Sequence, residues 1–204
     1  MIYSQPEDGY IKFSSHLTPE KLEIPSSLFA PLNQWREEMW QKSLIGAYPD
    51  GIGYGNISVR VPQSDQFYIS GSATGSLPEL EQFHYPLVEK CDLAQNTVWC
   101  RGVVQASSES MSHAAIYSCD AGIGAVVHIH SRKLWKKYLD VLPTTSREVE
   151  YGTPEMGYEI IRLMGLSETQ EQKVFVMGGH AEGIVSFGKT VEEAARILLA
   201  LNVE

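Results

Sequence analysis

Residues 123–131, Ile-Gly-Ala-Val-Val-His-Ile-His-Ser, constrain this chain most strongly. The apolar run is too short for a helix of ordinary length, and it is bounded by Gly124 and Ser131, so it predicts a core strand over 125–130. Side chains alternate across a strand, which places His128 and His130 on one face and Val127 and Ile129 on the other. The fold must therefore bury an apolar layer on one side of this strand and accommodate two imidazoles on the other. Two such imidazoles form either a hydrogen-bonded pair or the beginning of a metal site, and a metal site needs at least one more ligand.

The remaining pattern alternates strands with helices. Trp35, Met39, Trp40 and Leu44 predict an amphipathic helix over 32–45, closed by Gly46. Ile57 and Val59 alternate with Asn56, Ser58 and Arg60 as in a strand, and 67–70 supplies a second strand after the turn at 62–65. Residues 71–78, with two glycines and several hydroxyls, predict a loop at the surface or the active site. Short strands are expected at Val98-Trp99 and Val103-Val104. Ser107 and Ser108 can cap a helix reaching about Cys119, with Glu109 in its first turn and His113 one turn later. A short helix over 134–139 and a connector over 140–153 follow.

Thr153 and Pro154 then open a helix that stops near Gly165, and a polar turn leads to a strand over 174–177. Gly178-Gly179-His180 forms a tight exit, 184–187 a further strand, and Thr190 with Glu193 a capping box for the last helix. Residues 1–31, with prolines at 6, 19, 25 and 31, predict an N-terminal arm ahead of one α/β domain over 32–204. His180 now supplies a third imidazole. Three neutral histidines suit zinc or a neighbouring divalent ion and leave a coordination position for substrate or water.

Charge narrows the partners. A formal net charge of −9, without a compensating basic stretch, argues against nucleic acid and against an anionic membrane surface. Arg132, Lys133, Lys136 and Lys137 fit a solvated helix face. Trp35, Trp40, Trp99 and Trp135 fit core or subunit contacts rather than a base-stacking platform. No stretch of 18 apolar residues occurs, and three cysteines without a close pair suit free thiols, so a cytoplasmic protein is expected.

Five motifs, in order, carry a resemblance. They are Gly55-Asn56-Ile57-Ser58-Val59-Arg60; Ser70-Gly71 with Thr74-Gly75; Ser107-Ser108-Glu109 with His113; Val127-His128-Ile129-His130-Ser131; and Gly179-His180 followed by a helix with Glu192-Glu193-Ala194. Over roughly residues 33–200 the chain resembles the class II aldolase/adducin family, whose members include fuculose-phosphate aldolase. The resemblance implies a three-layer α/β/α fold with a largely antiparallel central sheet and a cyclic homotetramer with sites between subunits. It also implies Zn2+ or another divalent transition metal on His128, His130 and His180, and Glu109 as the acid/base. Asn56, Ser70, Gly71, Ser107 and Ser108 map to the substrate's phosphate pocket; capping and turn formation are the structural roles open to the same residues.

The implied activity is that of a zinc-dependent lyase of aldolase type, acting on a small hydroxy-ketone, a sugar phosphate, through a metal-stabilised enediolate. The alternatives are dehydration, as in methylthioribulose-phosphate dehydratase, epimerisation, and a non-catalytic adducin-like interaction module. Two departures bear on this choice: the family commonly has glycine after the third histidine, where this chain has Ala181, and no tyrosine follows His180. Tyr138 and Tyr151 remain as tyrosines that can approach a neighbouring site.

Overall fold

The computed structural model describes residues 10–201. The first nine residues of the expected arm and the last three residues of the expected domain lie outside the described residues. Among the described residues there are ten strands: β1 (Ser14–Pro19), β2 (Gly46–Ala47), β3 (Gly53–Tyr54), β4 (Asn56–Arg60), β5 (Phe67–Ile69), β6 (Leu87–Asp92), β7 (Thr97–Gly102), β8 (Ala125–His130), β9 (Val174–Val176) and β10 (Gly183–Gly188). The helices are α1 (Ser26–Gln41), α2 (Ser110–Cys119), α3 (Arg132–Tyr138), α4 (Pro154–Met164), α5 (Ser167–Gln172) and α6 (Val191–Leu199).

Eight strands form one sheet in the order β1-β7-β6-β5-β4-β8-β10-β9, while β2 and β3 pair separately. Among these strands only the β1–β7 pair runs parallel; β4, β5, β6, β7, β8, β9 and β10 pair antiparallel. The sheet is thus largely antiparallel, as expected. β4, β8 and β10 are buried along their whole length, because helices cover both faces at the sheet's centre.

Two apolar clusters lie on opposite faces. One joins Val126 of β8 and Val185 and Phe187 of β10 to Met111, Ala115 and Ile116 of α2 and Met156, Ile160 and Leu163 of α4. The other joins Ala125, Val127 and Ile129 of β8 and Ile57 and Val59 of β4 to Leu32 and Met39 of α1, Leu134 of α3 and Ala194 and Leu198 of α6. This is the three-layer α/β/α arrangement. The strand alternation read from 125–130 sends odd residues to one layer and even residues to the other.

Local signals set several boundaries. Thr153 Oγ1 accepts from Met156 N, and Pro154 occupies the first turn of α4 without losing a helical bond. Thr190 Oγ1 accepts from Glu193 N at the start of α6. The return half of that box differs: Glu193 reaches Lys189 N and Lys173 Nζ instead of the Thr190 amide.

Elsewhere tertiary contacts moved the elements. The helix expected from Leu32 begins at Ser26 and crosses the 31/32 boundary, with Pro31 inside it at the cost of one backbone hydrogen bond. It ends at Gln41, before Gly46, where Ser43 takes a left-handed conformation at φ 56°. Residues 14–19 join the sheet as an edge strand. Val103-Val104 lies beyond β7, which ends at Gly102, and the polar turn after Gly165 contains α5.

Candidate active site

β8 is the frame of the site. Asn56 of β4 lies opposite His128, while Val185 and Gly183 of β10 lie opposite His128 and His130. His180 precedes β10 on a turn in which Gly183 N donates to His180 O at 3.0 Å. The three imidazoles meet with His130 Nε2 and His180 Nε2 2.9 Å apart, and ligand atoms of all three lie within 4.8 Å of one another. These separations bracket the roughly 3.4 Å between nitrogens sharing one zinc at bonds of about 2.0–2.1 Å. His128 Nε2 is buried without a hydrogen-bond partner among the described residues, an arrangement that costs free energy unless another ligand completes it.

Burial lowers the pKa of His128 to about 3. Burial, followed by the neighbouring imidazoles, pushes His130 well down; burial with His128 and Lys12 does the same to His180. All three are therefore neutral at physiological pH, the form that offers a lone pair to a metal. The donor set, the orphaned nitrogen and a cavity of about 20 Å³ among them fit a single divalent ion.

That cavity is also lined by Glu109, Tyr151, Asn56, Ser108 and residues 53–55. Glu109 stands at the N-cap of α2, one position outside the first turn expected for it, and is 2% exposed. Ser112 Oγ donates to its Oε2 at 2.7 Å across one helical turn. His113, expected on the Glu109 face, pairs through Nδ1 with Ser58 Oγ at 2.7 Å and stacks on Phe67. That is the environment of a packing histidine.

The expected phosphate residues divide. Asn56 Nδ2 lies 3.0 Å from Ser107 Oγ and 3.4 Å from His128 Nδ1, tying the histidine cluster to the start of α2. Ligation through His128 Nε2 leaves a proton on Nδ1; turning the Asn56 amide over brings its oxygen, otherwise unpartnered, to accept that proton. Ser107 also receives the Glu109 amide at its Oγ, while Ser108 lines both the cavity among the histidines and a neighbouring cavity of about 200 Å³. Ser70 and Gly71 line only the larger one of these two. Ser70 Oγ accepts from Ile57 N, and Gly71 N donates to His84 O. A Cβ on Gly71 would fall 2.4 Å from Val104 Cγ2, so close packing also accounts for this glycine. Ser107 and Ser110 make the turn into α2, with Ser110 N donating to Ser107 O. The capping role expected of the serine pair is thus carried by a backbone carbonyl.

Several residues at the site were not legible in the sequence. Tyr48 Oη lies 2.9 Å from His130 Nδ1, and Tyr54 stacks on the His130 ring, although neither belongs to a motif of the sequence. Tyr151 packs on His180 at 4.3 Å between ring centroids, in its own chain's site, and Lys12 Nζ lies over its ring at 3.7 Å from the centroid. Arg36, fully buried, donates to Thr74 O and Pro78 O, and Trp40 donates to Gly75 O, so α1 holds the loop that walls the larger cavity. Directly after His180 stands Ala181, and the close approach of the imidazoles falls on Gly183. A Cβ there would stand 2.5 Å from His180 Cδ2 and 3.1 Å from His128 Nε2.

Residues 49–203 match the family model for the class II aldolase and adducin N-terminal domain. A search of curated proteins returned no match. Among solved structures, an L-fuculose 1-phosphate aldolase aligns at 19% identity with a TM-score of 0.66, covering 86% of this chain and 82% of its own. YgbL of Escherichia coli, described as a candidate aldolase/epimerase/decarboxylase, aligns at 18% identity and a TM-score of 0.63, with 86% and 85% covered. The L-fuculose-1-phosphate aldolase of Thermus thermophilus aligns at 20% identity and a TM-score of 0.55, with 86% and 94% covered. At these identities the likeness is one of fold. No helix among the described residues is long and apolar enough to cross a membrane.

Proposed function

The chain belongs to the class II aldolase and adducin family, and on that premise we propose that it is a metal-dependent lyase of aldolase type acting on a small phosphorylated ketose. The observation that carries this reading is the buried, unpartnered Nε2 of His128 beside His130 and His180, in a cavity that Glu109 also lines. His128, His130 and His180 hold the ion, zinc in the first instance. When bound, a divalent ion supplies Lewis-acid stabilisation of the negative charge that develops at a substrate carbonyl and its neighbouring hydroxyl.

The rest of the work falls to the chain. Glu109, its Oε2 held by Ser112, accepts a proton from the substrate or returns one to its carbon, and its burial keeps water from competing. Asn56, Ser107 and Ser108 orient the substrate at the border of the two cavities, and the cavity at Ser70 and Gly71 receives the anionic end. A homotetramer in the cytoplasm belongs to the same reading.

Dehydration by the same residues is the second reading. It needs the same proton transfer through Glu109, followed by expulsion of a β-hydroxyl in place of an aldehyde. Metal analysis of protein purified without chelators, followed by product analysis on four- to six-carbon ketose phosphates and methylthioribulose phosphate, tests both. A stoichiometric divalent metal with aldehyde release supports cleavage, and loss of water without carbon–carbon cleavage supports dehydration. A chain that carries no metal and turns over none of these compounds overturns the enzyme reading in favour of an adducin-like interaction module.

A further inference from the structure

We propose that Glu182 and Tyr48 form a hydrogen-bonded relay that holds His130 in the tautomer able to ligate a metal. The inference rests on the metal reading of the three histidines and adds two positioning residues to it. Tyr48 Oη lies 2.9 Å from His130 Nδ1 and 3.2 Å from Glu182 Oε2. A phenol has one proton, and an ionised carboxylate only accepts. The Tyr48 proton therefore goes to Glu182, and the hydrogen bond between Tyr48 and His130 must be donated by Nδ1–H. That leaves the lone pair of His130 on Nε2, the atom 2.9 Å from His180 Nε2.

A second observation, independent of the hydrogen bonds, points to the carboxylate. Glu182 sits at φ 72°, in the left-handed region that a side chain with a Cβ adopts at a cost and that glycine adopts freely. Its carbonyl accepts from Ser131 N at 2.9 Å, an interaction any residue could supply. What glutamate adds at this position is the reach of its side chain to Tyr48. Tyr54 fixes the plane of the assembly, stacking on His130 at 5.5 Å and lying 4.6 Å from the Tyr48 ring. Tyr48, Tyr54, Glu182 and His130 together line a cavity of about 430 Å³, so the relay runs from a solvent-facing carboxylate to a buried ligand. Partners of this kind fix the ring orientation of a ligating histidine and raise its basicity, and losing one typically weakens metal binding 10–100-fold.

The test is the zinc dissociation constant of the full chain, measured by competition with a chromophoric chelator, beside the thermal midpoint of the metal-free protein. Tyr48→Phe and Glu182→Ala, which removes the acceptor while keeping a Cβ, are each expected to raise the Kd about 10–100-fold, and the double variant to raise it no further than the weaker-binding single variant. Glu182→Gly is expected to raise the Kd to the same extent while leaving the metal-free midpoint unchanged or higher, because the backbone strain is relieved. Packing alone would not separate the two readouts in that way. Zinc bound by the unsubstituted chain and held within twofold by all these variants overturns the relay and leaves the metal reading standing. An unsubstituted chain that binds no zinc overturns both.

Discussion

Across β4, β8 and β10 the two faces of one sheet are built for different purposes. Asn56, Ser58, His128 and His130 alternate with Ile57, Val59, Val127 and Ile129 along β4 and β8. The first set shares its face with α2 and α4, and its polar atoms find Ser107, Tyr117, His113 and Tyr48. The second set closes against α1, α3 and α6 in an almost wholly apolar layer. The difference teaches where stability and chemistry lie. A sheet covered on both sides lets one face supply burial energy while the other holds polar groups that an isolated strand could not keep dry.

That division can be tested one side chain at a time. The largest effect is expected from His128→Ala on the polar face. Stoichiometric zinc is lost and turnover falls on the order of 10³-fold, since several kcal/mol of charge stabilisation go with the ion. Metal analysis and turnover measured on the folded variant together read this out. Next, Glu109→Gln keeps its bond to Ser112 and the bound zinc, but lowers kcat by about 10²–10⁴-fold. A rate near that of the parent would remove Glu109 from the proton path.

On the apolar face, Ile129→Ala opens a cavity and is expected to cost about 2–5 kcal/mol in urea unfolding, with zinc affinity of the folded fraction within twofold of the parent. A matching loss of affinity would show that the faces are not independent. The smallest effect is expected from Glu193→Gln on α6. Lys173 first, and then the Lys189 amide, hold the Glu193 carboxyl below its ordinary range. A folded-state pKa below the unfolded one adds stability that is present above the ordinary carboxylate range and fades as pH falls through the folded value. The variant should therefore lose less than about 1 kcal/mol at pH 7 and show a flatter acid limb in stability measured from pH 7 to 3.

Much of the frame was legible because its signals are local. Two-residue alternation assigned His128 and His130 to one face, and Thr153-Pro154 and Thr190 opened helices where capping chemistry places them. The bond from Ser112 to Glu109 had a signal too, since residues three apart share a helix face. Tyr48 and Glu182 had none, because loop residues carry no period from which a direction could be read; Tyr54 sits on a two-residue strand too short to show one, and Tyr151 was named without a direction. The glycine requirement at Gly183 was equally hidden, since it comes from two histidine rings that approach it from other elements. The start of α1 moved because its apolar face, with Leu28, Leu32 and Met39, packs on the sheet, and that burial outweighs the backbone bond that Pro31 withholds.

By itself the sequence determined the periods, the caps and the residue types: an α/β chain with two histidines on one strand face, a third after another strand, and a carboxylate at the entry to a helix. Tertiary structure alone decided that these groups meet, that His128 keeps an unpartnered nitrogen, that Arg36 and Trp40 hold a loop some forty residues away, and that Tyr48 stands behind His130. The physical reason is range. Backbone sterics and capping act over a few residues, whereas the sheet order that brings β4, β8 and β10 together is set by how apolar faces are buried across the whole chain.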